Sequence, residues 1–307
     1  MIVFATSDKG GTGRSVTCAN IAYRRALAGD DVAYVDFDFG SPTAAAVFDL
    51  ASAMRGVDLQ GMHTYLQGGD EAPPEPARLD VWTRTEREAL RRTPPGAGRL
   101  CLVPGDRGGG EFPVSDEVVA RGGELLLRLH EEFDVVLVDL SAGRSYAIEI
   151  ALRASRLLEG RGPVARWLVF HRWTRQHVIA TNGLVHGARG ILERGAAFGH
   201  DPAVLADSIR FVRAAVPAVP GDDGGRTAVL AEWLRACDGQ LNDLAADLRL
   251  GPTVRLGTVP FDPVLQWREQ LITDEDVLAT RIADFATWTA FDDLARALTD
   301  DARWEAL

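Results

Sequence analysis

Met1-Ile2-Val3-Phe4-Ala5-Thr6-Ser7-Asp8-Lys9-Gly10-Gly11-Thr12-Gly13-Arg14-Ser15-Val16-Thr17-Cys18 opens the chain and decides its fold. Residues 1–6 read as a short buried strand, and Ser7 to Ser15 as a glycine-rich loop. From Val16 to Ala28 the apolar residues Cys18, Ile21, Ala22 and Leu27 recur at helical spacing, and Gly29 suits the position just past a helix end. Val32–Asp36 supplies a second strand, so the first 36 residues form a strand-loop-helix-strand unit. That order requires parallel strands joined by a right-handed crossover. A glycine loop between strand and helix can cradle phosphate. Glycine admits positive φ, several N–H groups then converge on one anion, and the helix start adds partial positive charge. The plainer alternative is a tight turn that merely joins the two elements.

The alternation continues outward from this unit. Leu100–Val103 reads as a strand ending at Pro104-Gly105, and Ser115 starts an amphipathic helix through Leu129. Val135–Asp139 is apolar without interruption until its last residue, as a strand covered on both faces must be. Further strands are expected at Ala165–Phe170, Ile209–Ala215 and Val254–Val259, with helices between them. The pattern predicts a doubly wound, mostly parallel α/β sheet with helices on both faces, in a single domain over residues 1–307. Ligands then belong at the carboxyl ends of the strands. Residues 68–99, with Pro73-Pro74-Glu75-Pro76 and Pro94-Pro95-Gly96, read as an irregular surface excursion. Val216–Gly225 reads as a loop between the sixth strand and its helix.

Composition narrows the function. With 46% hydrophobic and 25% charged residues in 307, the chain can bury a full core. No run approaches about 18 apolar residues, so no membrane-spanning helix is expected. The first residues lack a basic segment, so no signal peptide is expected either. Cys18, Cys101 and Cys237 are odd in number, far apart and without a C-x-x-C pair. They argue against a disulfide framework or a zinc or iron–sulfur site, and fit the cytoplasm. A net charge of −11 confines any nucleic-acid contact to a local patch. Of 33 basic residues only Lys9 is lysine, a bias that looks like a GC-rich genome and makes the one lysine conspicuous.

Lys9-Gly10-Gly11-Thr12-Gly13-Arg14-Ser15 resembles the deviant Walker A loop of ParA/MinD-class P-loop ATPases, nearest to a subfamily of variant P-loop proteins. Tyr34-Val35-Asp36-Phe37-Asp38-Phe39-Gly40 is similar to that family's switch I. The stretch from Phe133-Asp134 through Val138-Asp139-Leu140-Ser141-Ala142-Gly143 is similar to its Walker B strand and switch II. Leu256-Gly257-Thr258-Val259-Pro260-Phe261-Asp262 resembles the late strand and loop beside the nucleotide base. These motifs stand in the family's order and span nearly the whole chain. The resemblance implies ATP or ADP with Mg2+, a nucleotide-dependent homodimer and an unidentified protein partner.

It also implies roles. Gly10, Gly11, Thr12, Gly13, Arg14, Ser15 and Val16 would surround the phosphates. Lys9 would reach across the dimer to the partner's phosphates and, with Asp38 holding the attacking water, make the catalytic pair. Ser15, Asp38 and Asp139 would hold magnesium, Gly143 would let switch II move, and Asp36 would support the site. Arg213, Pro260 and Phe261 would lie on the base side. Two positions depart from the family. Arg14 stands where a lysine contacts the β- and γ-phosphates, and Val16 where a second hydroxyl is usual. Arginine is a planar fork and lysine a compact point charge. Phosphoryl transfer depends on positioning, so nucleotide binding is expected, with slow or impaired hydrolysis. The function implied is a nucleotide-dependent dimerisation switch that positions or recruits a partner. A non-hydrolysing ATP-bound scaffold is the alternative, with a ligase on the same fold a further one. Tyrosine kinases are disfavoured because no tyrosine follows Tyr146, and iron-protein reductases because residues 139–150 lack cysteine.

Other features read more plainly. Arg153, Arg156, Arg161, Arg166, Arg172 and Arg175 in residues 153–177 make a weak basic patch, better read as solvated surface than as a nucleic-acid face. Phe285, Trp288, Phe291, Leu294 and Leu298 form a C-terminal stripe opposite Asp284, Asp292, Asp293, Asp300 and Asp301, which anionic lipid would repel. Core packing, and no membrane contact, is the expectation. His171 and His177 lack metal-ligand spacing, so their segment is expected to line the base pocket or a partner surface.

Overall fold

A computed structural model describes residues 1–68, 73–218 and 226–305. Its strands are β1 (Ile2–Ser7), β2 (Val32–Phe37), β3 (Leu79–Asp80), β4 (Leu100–Val103), β5 (Val135–Leu140), β6 (Ala165–Arg172), β7 (Ile209–Val216) and β8 (Arg255–Pro260). They form one sheet in the order β3-β4-β2-β5-β1-β6-β7-β8. Only the β3–β4 pair is antiparallel. The chain leaves β1 toward β2 on one side and later fills β6, β7 and β8 on the other. A crevice therefore opens at the carboxyl end of β1, where the two windings diverge.

Apolar residues on successive positions of β1 feed two cores. Ile2 and Phe4 pack on one face with Leu125, Leu129 and Ile150 of the helices Asp116–Glu132 and Tyr146–Leu158. Val3 and Ala5 pack on the other with Ile21 and Ala22 of helix α1 (Arg14–Leu27) and Phe291 and Leu294 of Phe285–Thr299. Period-2 alternation in a strand covered on both sides produces this arrangement. The Ser115 hydroxyl caps its helix by accepting the Val118 N–H at 3.2 Å.

The stretch at 68–99, expected to be irregular, carries short elements. Its described part contains β3 and the short helices Val81–Arg84 and Glu88–Arg91, with Val81, Trp82 and Leu90 buried. The Trp82 indole N–H donates to the Gly98 carbonyl at 3.0 Å, and its ring packs against Tyr23. Elements of two to four residues are too short to show a period, and this one is held by its anchors. In the Val216–Gly225 stretch, residues 219–225 lie outside the described residues.

In the C-terminal stripe Phe291, Leu294 and Leu298 are buried, Trp288 is half-buried and Phe285 is exposed. Among the described residues no helix is long and apolar enough to cross a membrane. Three of the six arginines of the 153–177 patch form ion pairs. Arg153 meets Asp116 and Glu149, Arg156 meets Glu159, and Arg166 is buried against Asp301 and the Leu298 carbonyl.

Candidate functional site

The loop after β1 turns through Gly11 at φ 70° and Gly13 at φ 77°, the left-handed region that side chains resist. Nothing lies within 4 Å of where a Cβ would stand at either, so backbone conformation and not crowding calls for glycine. Helix α1 starts directly after Gly13, with no side-chain cap and no acidic residue in its first turn. Its leading N–H groups and its positive end are thereby left to an outside anion. Ser7 Oγ donates to the Lys9 carbonyl at 2.9 Å and steadies the loop. Gly143, at φ 75°, donates its N–H to the Ser7 carbonyl at 2.8 Å and ties the end of β5 to the end of β1.

Two hollows meet at this loop and share Gly11, Thr12, Gly13, Val16 and Glu269. One runs past Gly10, Ser15, Arg14 and Asp38 toward Ala142. The other runs past Thr17 and Arg172 to Ala214, Pro260, Asp262 and Gln266. The cleft is thus continuous, glycine-lined in the middle, carboxylate-bearing at one end and of mixed polarity at the other. Its far wall is fastened to α1. The Asn20 side chain donates to the Val16 and Gln270 carbonyls and accepts the Ile272 N–H at 2.7 Å. Arg24 donates to the Ile272 carbonyl and to Asp274.

Arg14 is the centre of the carboxylate end and only 6% exposed. Its Nε donates to Asp139 Oδ1 at 2.5 Å and its Nη2 to Asp38 Oδ2 at 3.0 Å. Nη1 reaches Ser7 Oγ and Nη2 reaches Ser15 Oγ, each at 3.4 Å. The second Asp139 oxygen accepts the Tyr34 hydroxyl at 2.7 Å. Parallel pairing of β2 with β5 places Asp36 opposite Asp139. Burial, and then the Asp139 charge, hold the Asp36 carboxyl well above the usual carboxylate range. Asp36 accepts the N–H groups of Asp38 and Ala44. Burial also pushes the Tyr34 hydroxyl well up, with Asp139 adding to it. For Arg14, burial opposes the charge, but Asp139 and Asp38 outweigh it and the guanidinium is held cationic.

Ser15, Asp38 and Asp139, expected to hold magnesium, do converge, but around Arg14. Magnesium demands oxygen ligands at about 2.0–2.1 Å in octahedral array. Here both Asp139 oxygens and one Asp38 oxygen already accept hydrogen bonds. As arranged, these residues do not fit the ion, because the Arg14 guanidinium lies among them where it would sit. Among the described residues, no group of three or more His, Cys, Asp or Glu could hold a metal. The resemblance sends the Arg14 side chain to phosphate, whereas here it grips carboxylates.

The remaining expected residues fall in different places. Lys9 is exposed beside the loop, outside the residues that line the cleft. Val16 and Pro260 line it. Arg213 does not: its guanidinium lies 3.4 Å above the Trp173 ring and donates to Asn242 Oδ1 at 3.0 Å. Phe261 is 41% exposed and also stands outside the lining. Arg172 lines the cleft, within the segment expected at the base pocket or a partner surface. His171 beside it is buried, and burial pushes its pKa down to about 4. Sequence reasoning missed Gln266 and Glu269, which follow the Pro260 motif in a stretch without regular spacing.

No protein-family model and no curated protein matches the sequence. Solved structures do resemble the fold. The MinD cell division protein of Aquifex aeolicus superposes with a TM-score of 0.60 at 18% identity, over 100% of this chain and 98% of its own. MinD of Pyrococcus horikoshii, solved with Mg-ADP, gives 0.53 at 18% identity over 98% and 96%. A plasmid partition protein of Borrelia burgdorferi bound to AMPPNP gives 0.52 at 12% identity over 98% of each chain. A central parallel sheet wound both ways from a glycine-loop strand, matched over essentially its full length by these proteins, has the ParA/MinD P-loop fold.

Proposed function

We propose that this chain binds ATP or ADP in the cleft and works as a nucleotide-dependent dimerisation switch in the cytoplasm, recruiting or positioning a partner protein. One observation carries the reading: a loop with left-handed Gly11 and Gly13 runs into an uncapped helix N-terminus at the middle of a continuous cleft. Backbone N–H groups from Gly10 to Val16 would surround the phosphates. Pro260 would border the base, and Gly143 would let its segment shift as the terminal phosphate comes and goes. Lys9, exposed at the rim, has the reach of a flexible stem toward a second copy of the chain. Similar structures include MinD in complex with MinC, which supports a protein partner. Another is a ParA bound to nonspecific DNA, but the ion pairs of Arg153, Arg156 and Arg166 and the net charge of −11 favour no such role here.

Asp38, the residue proposed to hold the attacking water, is paired with Arg14, so turnover is proposed to be slow. The same pair supports a second reading, a scaffold that holds ATP without hydrolysing it. Single-turnover measurement with radiolabelled ATP separates the two. Nucleotide binding itself is tested by melting with saturating ATP, ADP or GTP. Ligand at about 100 times Kd adds roughly 2.7 kcal/mol, a shift of a few degrees for a chain of this size. No shift with any of the three would falsify the phosphate-loop reading.

A further inference from the structure

The geometry points to a nucleotide site whose resident cation is the Arg14 guanidinium, so that ATP and ADP bind as free anions without a divalent ion. This inference rests on the nucleotide reading above and concerns the charge partner within the same cleft.

Three observations carry it. First, the oxygens gathered round the guanidinium are those of Asp139, Asp38, Ser15 and Ser7, the donor set a divalent ion would need at this end of the cleft. Second, the guanidinium fills the space between these oxygens. Asp139 is fully buried, with one oxygen on Arg14 Nε and the other on the Tyr34 hydroxyl, so an ion reaching it at this end would have to displace Arg14. Third, Arg14 is nine-tenths buried and ion-paired with both carboxylates. A divalent ion seated there would press against a fixed positive charge in a region of weak screening. A guanidinium differs from an ion in being tethered to α1. It cannot be removed by a chelator.

Titration calorimetry of the whole chain with ATP and with ADP, first in excess EDTA and then in excess MgCl2, tests this. Kd in MgCl2 should be no tighter than in EDTA, where a metal-dependent site would bind at least about tenfold more tightly in MgCl2. In the Arg14→Lys variant a shorter point charge leaves the Asp139 and Asp38 oxygens open, and magnesium should then tighten binding by at least about tenfold. Binding by the parent that needs magnesium overturns the inference and leaves the nucleotide reading standing. Absence of binding in both media overturns both. Should Arg14→Lys fail to fold, Mn2+ relaxation of the parent with bound ADP gives the second readout. Free Mn2+ is expected, and an immobilised ion at the protein overturns the inference.

Discussion

Replacing Arg14 by alanine should remove about 3–5 kcal/mol of stability, the range seen when one partner of a buried ion pair is taken away. The magnitude follows from what stays behind. Asp139 is 0% exposed, and without Arg14 its carboxylate keeps only the Tyr34 hydroxyl as a donor. Asp38 adds less, because its side chain is 27% exposed and water can replace the lost partner. Urea unfolding followed by tryptophan fluorescence is a suitable assay, since Trp167 is buried in the core beside Phe4. Melting should fall by on the order of 10 °C. Adding Asp139→Asn to Arg14→Ala removes the stranded charge and should recover part of the loss, with a coupling of at least about 2 kcal/mol across the cycle. A loss under about 1 kcal/mol, or additive single and double variants, would mean that Arg14 does not bear on Asp139 as described.

Other outcomes follow from the same residues. Lys9→Ala should no longer dimerise with a non-hydrolysable ATP analogue in light scattering, while still binding it; dimers as abundant as the parent's would remove Lys9 from the interface. Arg14→Lys should raise kcat for ATP hydrolysis by at least about tenfold in the presence of magnesium, with a smaller change in nucleotide affinity. A fall in both would mean that the arginine is an adapted part of the site. His171 is held neutral down to about 4, against 6.5 when unfolded. The unfolded chain therefore takes up the proton first. This residue's contribution is present in full above pH 6.5 and lost as pH falls toward 4, by roughly 3 kcal/mol at most. His171→Leu should flatten that slope in acid urea titrations, and an unchanged slope would assign it to other groups.

The sheet was legible in the sequence wherever a strand is an unbroken apolar run closed by glycine or aspartate, as in β1, β2 and β5. Strand β3 has two residues and pairs backward on β4, and no pattern that short stands out from its surroundings. The glycine turn between β1 and α1 was legible because clustered glycines before an amphipathic run mark a strand-to-helix junction. The course of the Arg14 side chain was not. Its main partner, Asp139, is 125 residues away and is brought alongside only by the pairing of β1 with β5. Arg213 shows how fine the margin is. It stands opposite His171 in the β6–β7 register, while Ala214, one position on, lines the cleft beside Arg172. Alternation turned the arginine onto Trp173 and gave the cleft wall an alanine.

The Asn20 and Arg24 side chains, which bind α1 to residues 270–274, determine how a ligand would meet the cleft. Because Asn20 is fully buried and satisfied at both ends, the wall carrying Gln266 and Glu269 is ordered as part of folding and not on arrival of a guest. Preorganisation of this kind lowers the entropy lost on association. A guest arriving at that end would then meet a rigid template that sorts by outline at the moment of encounter.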